Sequence, residues 1–142
     1  MAQSNTKIQI PRSEMMDQNF QYDISRNCNA MDFLEKNSEF IHWPGLSSNP
    51  SALYLLQRNP DKIHWKYLSR NPNAIHFLEK NIDKIYWFWL SENPNAVHLL
   101  EANPDKINWY RLSSNPNAIG LLERNLDNIH WVILSRNPNA IH

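Results

Sequence analysis

The chain has 142 residues and a mass of 16.8 kDa, which suits one domain or one run of small repeats. Fourteen basic residues balance fourteen acidic ones, and that neutrality argues against a protein that lives by binding nucleic-acid backbone. A single cysteine, Cys28, excludes an internal disulfide framework and fits a reducing compartment, two glycines exclude a glycine-rich phosphate loop, and no apolar run approaches the roughly 20 residues that span a bilayer.

Residues 1–18 are polar with scattered Met and Ile, and lack the apolar stretch of a signal peptide. This segment is expected to be partly disordered or to act as a cap. Phe20, Tyr22, Ile24, Ser25 and Arg26 then read as the worn tail of a repeat. From Asn27 the chain repeats every 22 residues, at Asn27, Asn49, Asn71, Asn93, Asn115 and Asn137. The fourth unit, Asn93 to Ser114, reads NPNAVHLLEANPDKINWYRLSS. Residues 19–142 are therefore expected to form one array: a degenerate half unit, five full units from 27 and a partial sixth from 137. A period of about 20 to 50 residues is the mark of a stacked repeat architecture.

Each unit carries two helix starts. Asn caps free backbone N–H groups, and Pro suits the first helical position, where its missing N–H has no partner to lose. Asn49, Asn71, Asn93, Asn115 and Asn137 are read as the caps of the first helix. Along that helix Ala74, Ile75 and Leu78 share a face, with Phe77 at its edge, while Pro72, Asn73, His76 and Lys80 point outward. The second start is Asn103-Pro104-Asp105-Lys106-Ile107, with Asp61, Asp83, Asp105 and Asp127 at the positive end of the helix dipole. Ile107, Trp109 and Leu112 do not fall on one stripe, so this helix is either buried on most sides or broken near the Trp into a 3₁₀-like turn. Two helices of roughly two turns per unit are expected, each stable only against its neighbours. The fold class that follows is all-α, a right-handed-type solenoid of short two-helix units. A leucine-rich-repeat-like mixed solenoid is the alternative, because Leu112-Ser113-Ser114-Asn115 has the Leu-x-x-Asn pattern. Pro after Asn, and the absence of period-2 alternation around the Trp, favour helices.

The string LSxNPNAIxLLExNPDKIxW, carried by Leu90 to Trp109 and with small changes by Leu68 to Trp87, resembles tandem repeats in proteins of giant DNA viruses, the mimivirus-like and marseillevirus-like groups. The resemblance covers about 120 residues, from the half unit to the end of the chain. It implies a viral repeat protein made inside an infected host cell, in its cytoplasm, and it carries no catalytic residues. The first unit departs from the pattern with Cys28 and Ser38 in place of Pro, and with Pro44-Gly45 where a helix would continue. The sixth unit stops at Ala140 and Ile141 without a polar capping helix, so the expectation is either a fragment of a longer array or an open end covered by something else, including a second copy of the chain.

Chemistry needed once is not served by a residue present in every unit. The carboxylates Glu39, Asp61, Asp83, Asp105 and Asp127 read as a structural ladder, as do Ser47, Ser69, Ser91, Ser113 and Ser135, whose hydroxyls suit turns. No nucleophile with a positioned base is indicated. Trp43, Trp65, Trp87, Trp109 and Trp131 read as inter-unit core, because Trp buries a large area. His42, His64 and His130 precede a Trp, and His76, His98 and His142 follow the first-helix Ile or Val. A metal needs ligand nitrogens about 2 Å away; stacked helices stand roughly 8 to 10 Å apart, whereas stacked strands at about 4.8 Å would let His76 and His98 approach each other, but no HExxH or CxxC spacing exists and no metal and no cofactor is expected. Lys62, Lys84 and Lys106 each follow an Asp and read as a solvated face.

Function should lie where the units differ. The pairs after each Trp are Pro44-Gly45, Lys66-Tyr67, Phe88-Trp89, Tyr110-Arg111 and Val132-Ile133. Stacking would align them, and Tyr67, Phe88, Trp89, Tyr110, Arg111 and Ile133 are the candidate partner-binding residues. The competing reading is that one member of each pair packs inward. The position after the first-helix Ile (Asp32, Tyr54, His76, His98, Gly120) offers a second, more polar face. The expected function is a non-catalytic scaffold for a protein partner, with no nucleic acid and no membrane. A self-associating structural protein is the alternative, and an enzyme is the weakest reading.

Overall fold

The computed structural model describes residues 10–140. Among these residues the chain is all helical, without a strand, which removes the mixed solenoid alternative. Among the described residues no helix is long and apolar enough to cross a membrane. Of the N-terminal segment, residues 1–9 and their expected disorder lie outside the described part, while Arg12–Met15 form one helical turn.

The helices are shorter than the two turns expected. In the unit headed by Asn71, a 3₁₀ turn Pro72–Ala74 leads into the α-helix Ile75–Glu79, and a second 3₁₀ turn Ile82–Lys84 precedes the α-helix Trp87–Leu90. The next unit has α-helices Val97–Ala102 and Trp109–Leu112 around the 3₁₀ turn Pro104–Lys106. The second helix is thus broken, and broken at the Ile. Ile63, Ile85, Ile107 and Ile129 all have extended backbone. The physical reason is phase. A continuous helix cannot bring Ile107, Trp109 and Leu112 to one side, and an extended link resets the rotation so that the Ile and the Leu both face inward.

The interior is built of leucine and alanine. Leu56, Leu78, Leu100 and Leu122 of the first helices and Leu46, Leu68, Leu90 and Leu112 of the second are almost wholly excluded from solvent, as are Ala52, Ala74, Ala96 and Ala118. The alanines let each first helix start close to the core. A four-residue helix has no stability of its own, so its apolar face must be held by its neighbours.

The neighbours are joined by polar ladders. The Asn residues expected to be simple caps are buried, at 0 to 3% exposure from Asn49 to Asn137. Asn93 Oδ1 does cap its own unit, accepting from the Asn95 N–H at 3.0 Å. Its Nδ2 also donates to the previous unit, to the carbonyls of Ser69 at 3.1 Å and Asn71 at 3.0 Å. Asn71, Asn115 and Asn137 repeat this pattern. The feature that suggested a leucine-rich repeat is therefore real as an Asn ladder, set here in an all-helical frame.

The serines, too, do more than close turns. Ser69 Oγ donates to Trp65 O at 2.9 Å and accepts from the Tyr86 N–H of the following unit at 3.0 Å. Ser47, Ser91 and Ser113 do the same for His64, Asn108 and His130. Asn73, Asn95, Asn117 and Asn139 add a further inter-unit bond, to the carbonyl of the Pro 23 residues earlier.

The worn half unit carries part of the same hardware. Asp17 caps the α-helix Gln18–Arg26 by accepting from the N–H groups of Asn19 and Phe20. Ser25 then accepts from the His42 N–H at 2.9 Å, and its carbonyl accepts from Asn49 Nδ2 at 3.0 Å. Pro44 and Gly45 do not end the following helix, Trp43–Ser47, because Pro sits in its first turn, where it is tolerated. Gly45 allows close approach: a Cβ there would stand 3.1 Å from the Tyr22 carbonyl.

Candidate binding surface

The Trp ladder was expected in the core and lies at its rim. Trp43, Trp65, Trp87 and Trp109 are half-buried, packed against the core from outside, and Trp131 is 63% exposed. The interior place belongs to the Leu three residues later. The Trp65 indole instead covers the boundary with the following unit. Phe77 stacks on Trp65 with centroids 5.6 Å apart, and Lys84 Nζ lies 4.8 Å from the same ring.

Three of the five pairs after the Trp divide into an exposed and a half-buried member, while Lys66 and Tyr67 are both half-buried and Pro44 is half-buried beside a buried Gly45. The first members Phe88, Tyr110 and Val132 are exposed at 43%, 48% and 61%. The second members Tyr67, Trp89, Arg111 and Ile133 are half-buried. Tyr67, Phe88, Trp89, Tyr110 and Arg111 form an aromatic stretch spanning three units, while Ile133 stands in the unit beyond.

Cations sit on these rings. The guanidinium carbons of Arg70 and Arg111 lie 4.7 and 4.6 Å from the Trp89 centroid, and Arg111 is also 4.5 Å from that of Phe88. Lys66 Nζ is 5.5 Å from Trp89 and 5.8 Å from Tyr67. Phe88 and Trp89 meet edge to face at 5.1 Å, His64 lies 4.9 Å from Tyr67, and Tyr110 meets His130 edge-on at 4.8 Å.

Glu92 ties the cluster together. It accepts from Arg70 Nε and from Arg111 Nη1, both at 2.7 Å, and its side chain is only 16% exposed. Arg111 Nε is buried without an acceptor. Glu92→Gln should therefore cost about 1 to 2 kcal/mol in urea denaturation, an amount kept modest by the exposure of Arg70. A change below a few tenths would mean that the two arginines hold their places by stacking alone.

Arg70 and Glu92 were not singled out from sequence. The signal was present: the residue before each Asn cap also varies, as Arg26, Ser48, Arg70, Glu92, Ser114 and Arg136. The argument applied to the pairs after the Trp covers this column equally.

The polar face holds a smaller cluster. Glu79 reaches His98 Nε2 at 2.8 Å and His76 Nδ1 at 3.3 Å. The His98 hydrogen bond, helped by that of His76, holds the Glu79 carboxyl below the usual carboxylate range. Burial, followed by the nearby Glu35 charge, pushes the Tyr54 phenol up. Among the described residues no group of three or more His, Cys, Asp or Glu side chains is placed to hold a metal ion. No protein-family model, curated protein or solved structure matches this chain.

Proposed function

We propose that the units build a right-handed-type helical solenoid that serves as a non-catalytic scaffold, binding a protein partner along the stripe after the Trp ladder. The observation that carries this reading is the concentration of exposed aromatic surface at positions the repeat does not dictate. Five units fold with five different pairs, yet Phe88, Trp89, Tyr110 and Arg111 bring together residue types that anchor interfaces. The resemblance to giant-virus repeats supports placing this activity in the host cytoplasm.

The test is affinity capture from host lysate with the wild type, Phe88→Ser/Trp89→Ser, and His98→Ser on the polar face as control. All three should first show equal helicity. A partner retained by wild type and control but lost by the double variant supports the stripe; equal capture by all three removes it. A second reading, self-association through the last unit, is favoured by the exposure of Leu126, Trp131 and Val132 around a cleft lined by Ile119, Leu122 and Leu134. A mass that grows with concentration in sedimentation, and shrinks with Trp131→Ser, would support it.

A further inference from the structure

We propose that the stripe takes an acidic, extended peptide segment, one carboxylate of which seats between Arg26 and Arg70; this rests on the protein-binding reading above. The stripe is the positive side of a neutral chain. In repeat register, the two positions after the Trp and the one before the Asn carry Arg26, Lys66, Arg70, Arg111 and Arg136, against Asp23 and Glu92. Glu92 is already held by two of these arginines. Among the described residues, Arg26 and Lys66 have no carboxylate within ion-pair distance. Arg26 and Arg70 line one pocket, and repulsion between such like charges is relieved when an anion arrives, so the surface favours a negative partner.

A pocket of about 160 Å³ opens at one end of the stripe, lined by Tyr22, Arg26, Ser48, Tyr67 and Arg70. Its walls contain donors and no acid. Arg26 Nη1 donates to the Tyr22 hydroxyl at 3.0 Å, which leaves the phenolic proton of Tyr22 free to point elsewhere. Arg70 uses its Nε on Glu92, and its terminal nitrogens remain. Ser48 spends its proton on the Gly45 carbonyl at 2.8 Å. Two guanidinium groups and two phenols around one opening suit a carboxylate, which only accepts. Beyond the pocket, Phe88 and Tyr110 give apolar contact for the side chains between the acids.

Single-stranded nucleic acid is the other polymer that seeks cations beside aromatics. It binds by stacking bases on open ring faces. Here Trp89, the largest ring, already carries Arg70 and Arg111, Phe88 carries Arg111, and Tyr67 and Tyr110 each meet a histidine, so a stacked base would compete with these neighbours. A carboxylate needs no ring face, because it pairs with the cations at the edges of the cluster. The observations favour the peptide.

The experiment is fluorescence anisotropy with short labelled peptides of fixed Leu and Val content, whose remaining positions are all Glu, all Ser or all Lys, and with a single-stranded oligouridylate. The Glu series should bind, weaken as salt is raised, and outbind the Ser series by roughly tenfold or more. Arg26→Glu/Lys66→Glu, checked for unchanged helicity and melting, should abolish that preference and leave the weak Ser-series binding. If Ser and Glu peptides bind alike and Phe88→Ser/Trp89→Ser abolishes both, the acidic inference falls and the stripe survives. If no peptide binds, both fall. If oligouridylate outbinds the Glu series, the inference is overturned in favour of nucleic acid. If the Glu preference persists in the charge-reversed variant, the pocket is not its source and the proposal fails.

Discussion

Asn93→Asp should destabilise the protein by about 3 kcal/mol or more at neutral pH, even though Asp is as good a helix cap as Asn. The near-isosteric change keeps the oxygen that accepts from the Asn95 N–H. It replaces the Nδ2 donor with an oxygen that would face two other acceptors, the carbonyls of Ser69 and Asn71. The site is 1% exposed, so water cannot enter to separate them. The carboxylate would also be charged in a buried place, which raises its folded pKa above the unfolded value. The sign follows: the penalty is full above the folded pKa, and stability is regained as pH falls through it, because the protonated acid can donate to one of the two carbonyls. Urea unfolding at neutral and mildly acidic pH, read as the midpoint at constant slope, measures this. Asn93→Ala should lose about 2 to 4 kcal/mol and show no such recovery. If Asp is tolerated within about 0.5 kcal/mol, Asn93 is a cap and nothing more.

The all-helical character was legible because it has local causes: Asn before Pro, amphipathic spacing in the first helix, and the repetition of both every 22 residues. Helix length was not. The segment Asn103-Pro104-Asp105-Lys106 starts a 3₁₀ turn as readily as an α-helix, and what ends it is the need to reset Ile107 toward the core. The Asn ladder was legible in principle. Ser, Thr and Asp cap about as well as Asn, yet all six positions from Asn27 to Asn137 are Asn. Only an amide both caps its own unit and donates to the one before. Asn27 is the informative exception, being exposed and, among the described residues, bonded through its side chain only to the Asn29 N–H. The serines carry the same message, since one hydroxyl serves the carbonyl four residues back and the N–H 17 residues ahead. At the surface, the variable columns could be read from the sequence. The convergence of Arg70, Trp89, Glu92 and Arg111 could not, because it joins residues up to two units apart through contacts that only the folded chain creates.

Leu112→Ala should cost more than Trp109→Ala, although Trp is the larger residue and its ladder read as the core. Leu112 is fully buried, next in sequence to Ser113 and three residues before Asn115, both of which bond to other units. The Ser91 carbonyl is tied to Asn115, and Ser113 Oγ to the His130 N–H, so the spacing between units is fixed by hydrogen bonds. A cavity at Leu112 cannot collapse without breaking them, which places the loss toward the upper part of the 2 to 5 kcal/mol range, about 4 kcal/mol. Trp109 borders an open cleft lined by Pro104, Ile107, Leu121 and Arg124. Its truncation widens that cleft to solvent and encloses no void, so about 1 to 3 kcal/mol is expected, mostly lost apolar contact. Trp131→Ala, at 63% exposure, should stay below about 1 kcal/mol. Parallel chemical denaturation of the three variants gives the ranking directly. If Trp109→Ala proves the costliest, the indoles hold the units together and the leucines merely fill between them. If Leu112 leads, neighbouring units are held together by their leucines and amide ladder, and the Trp edge and the stripe beside it are free to vary without unfolding the chain.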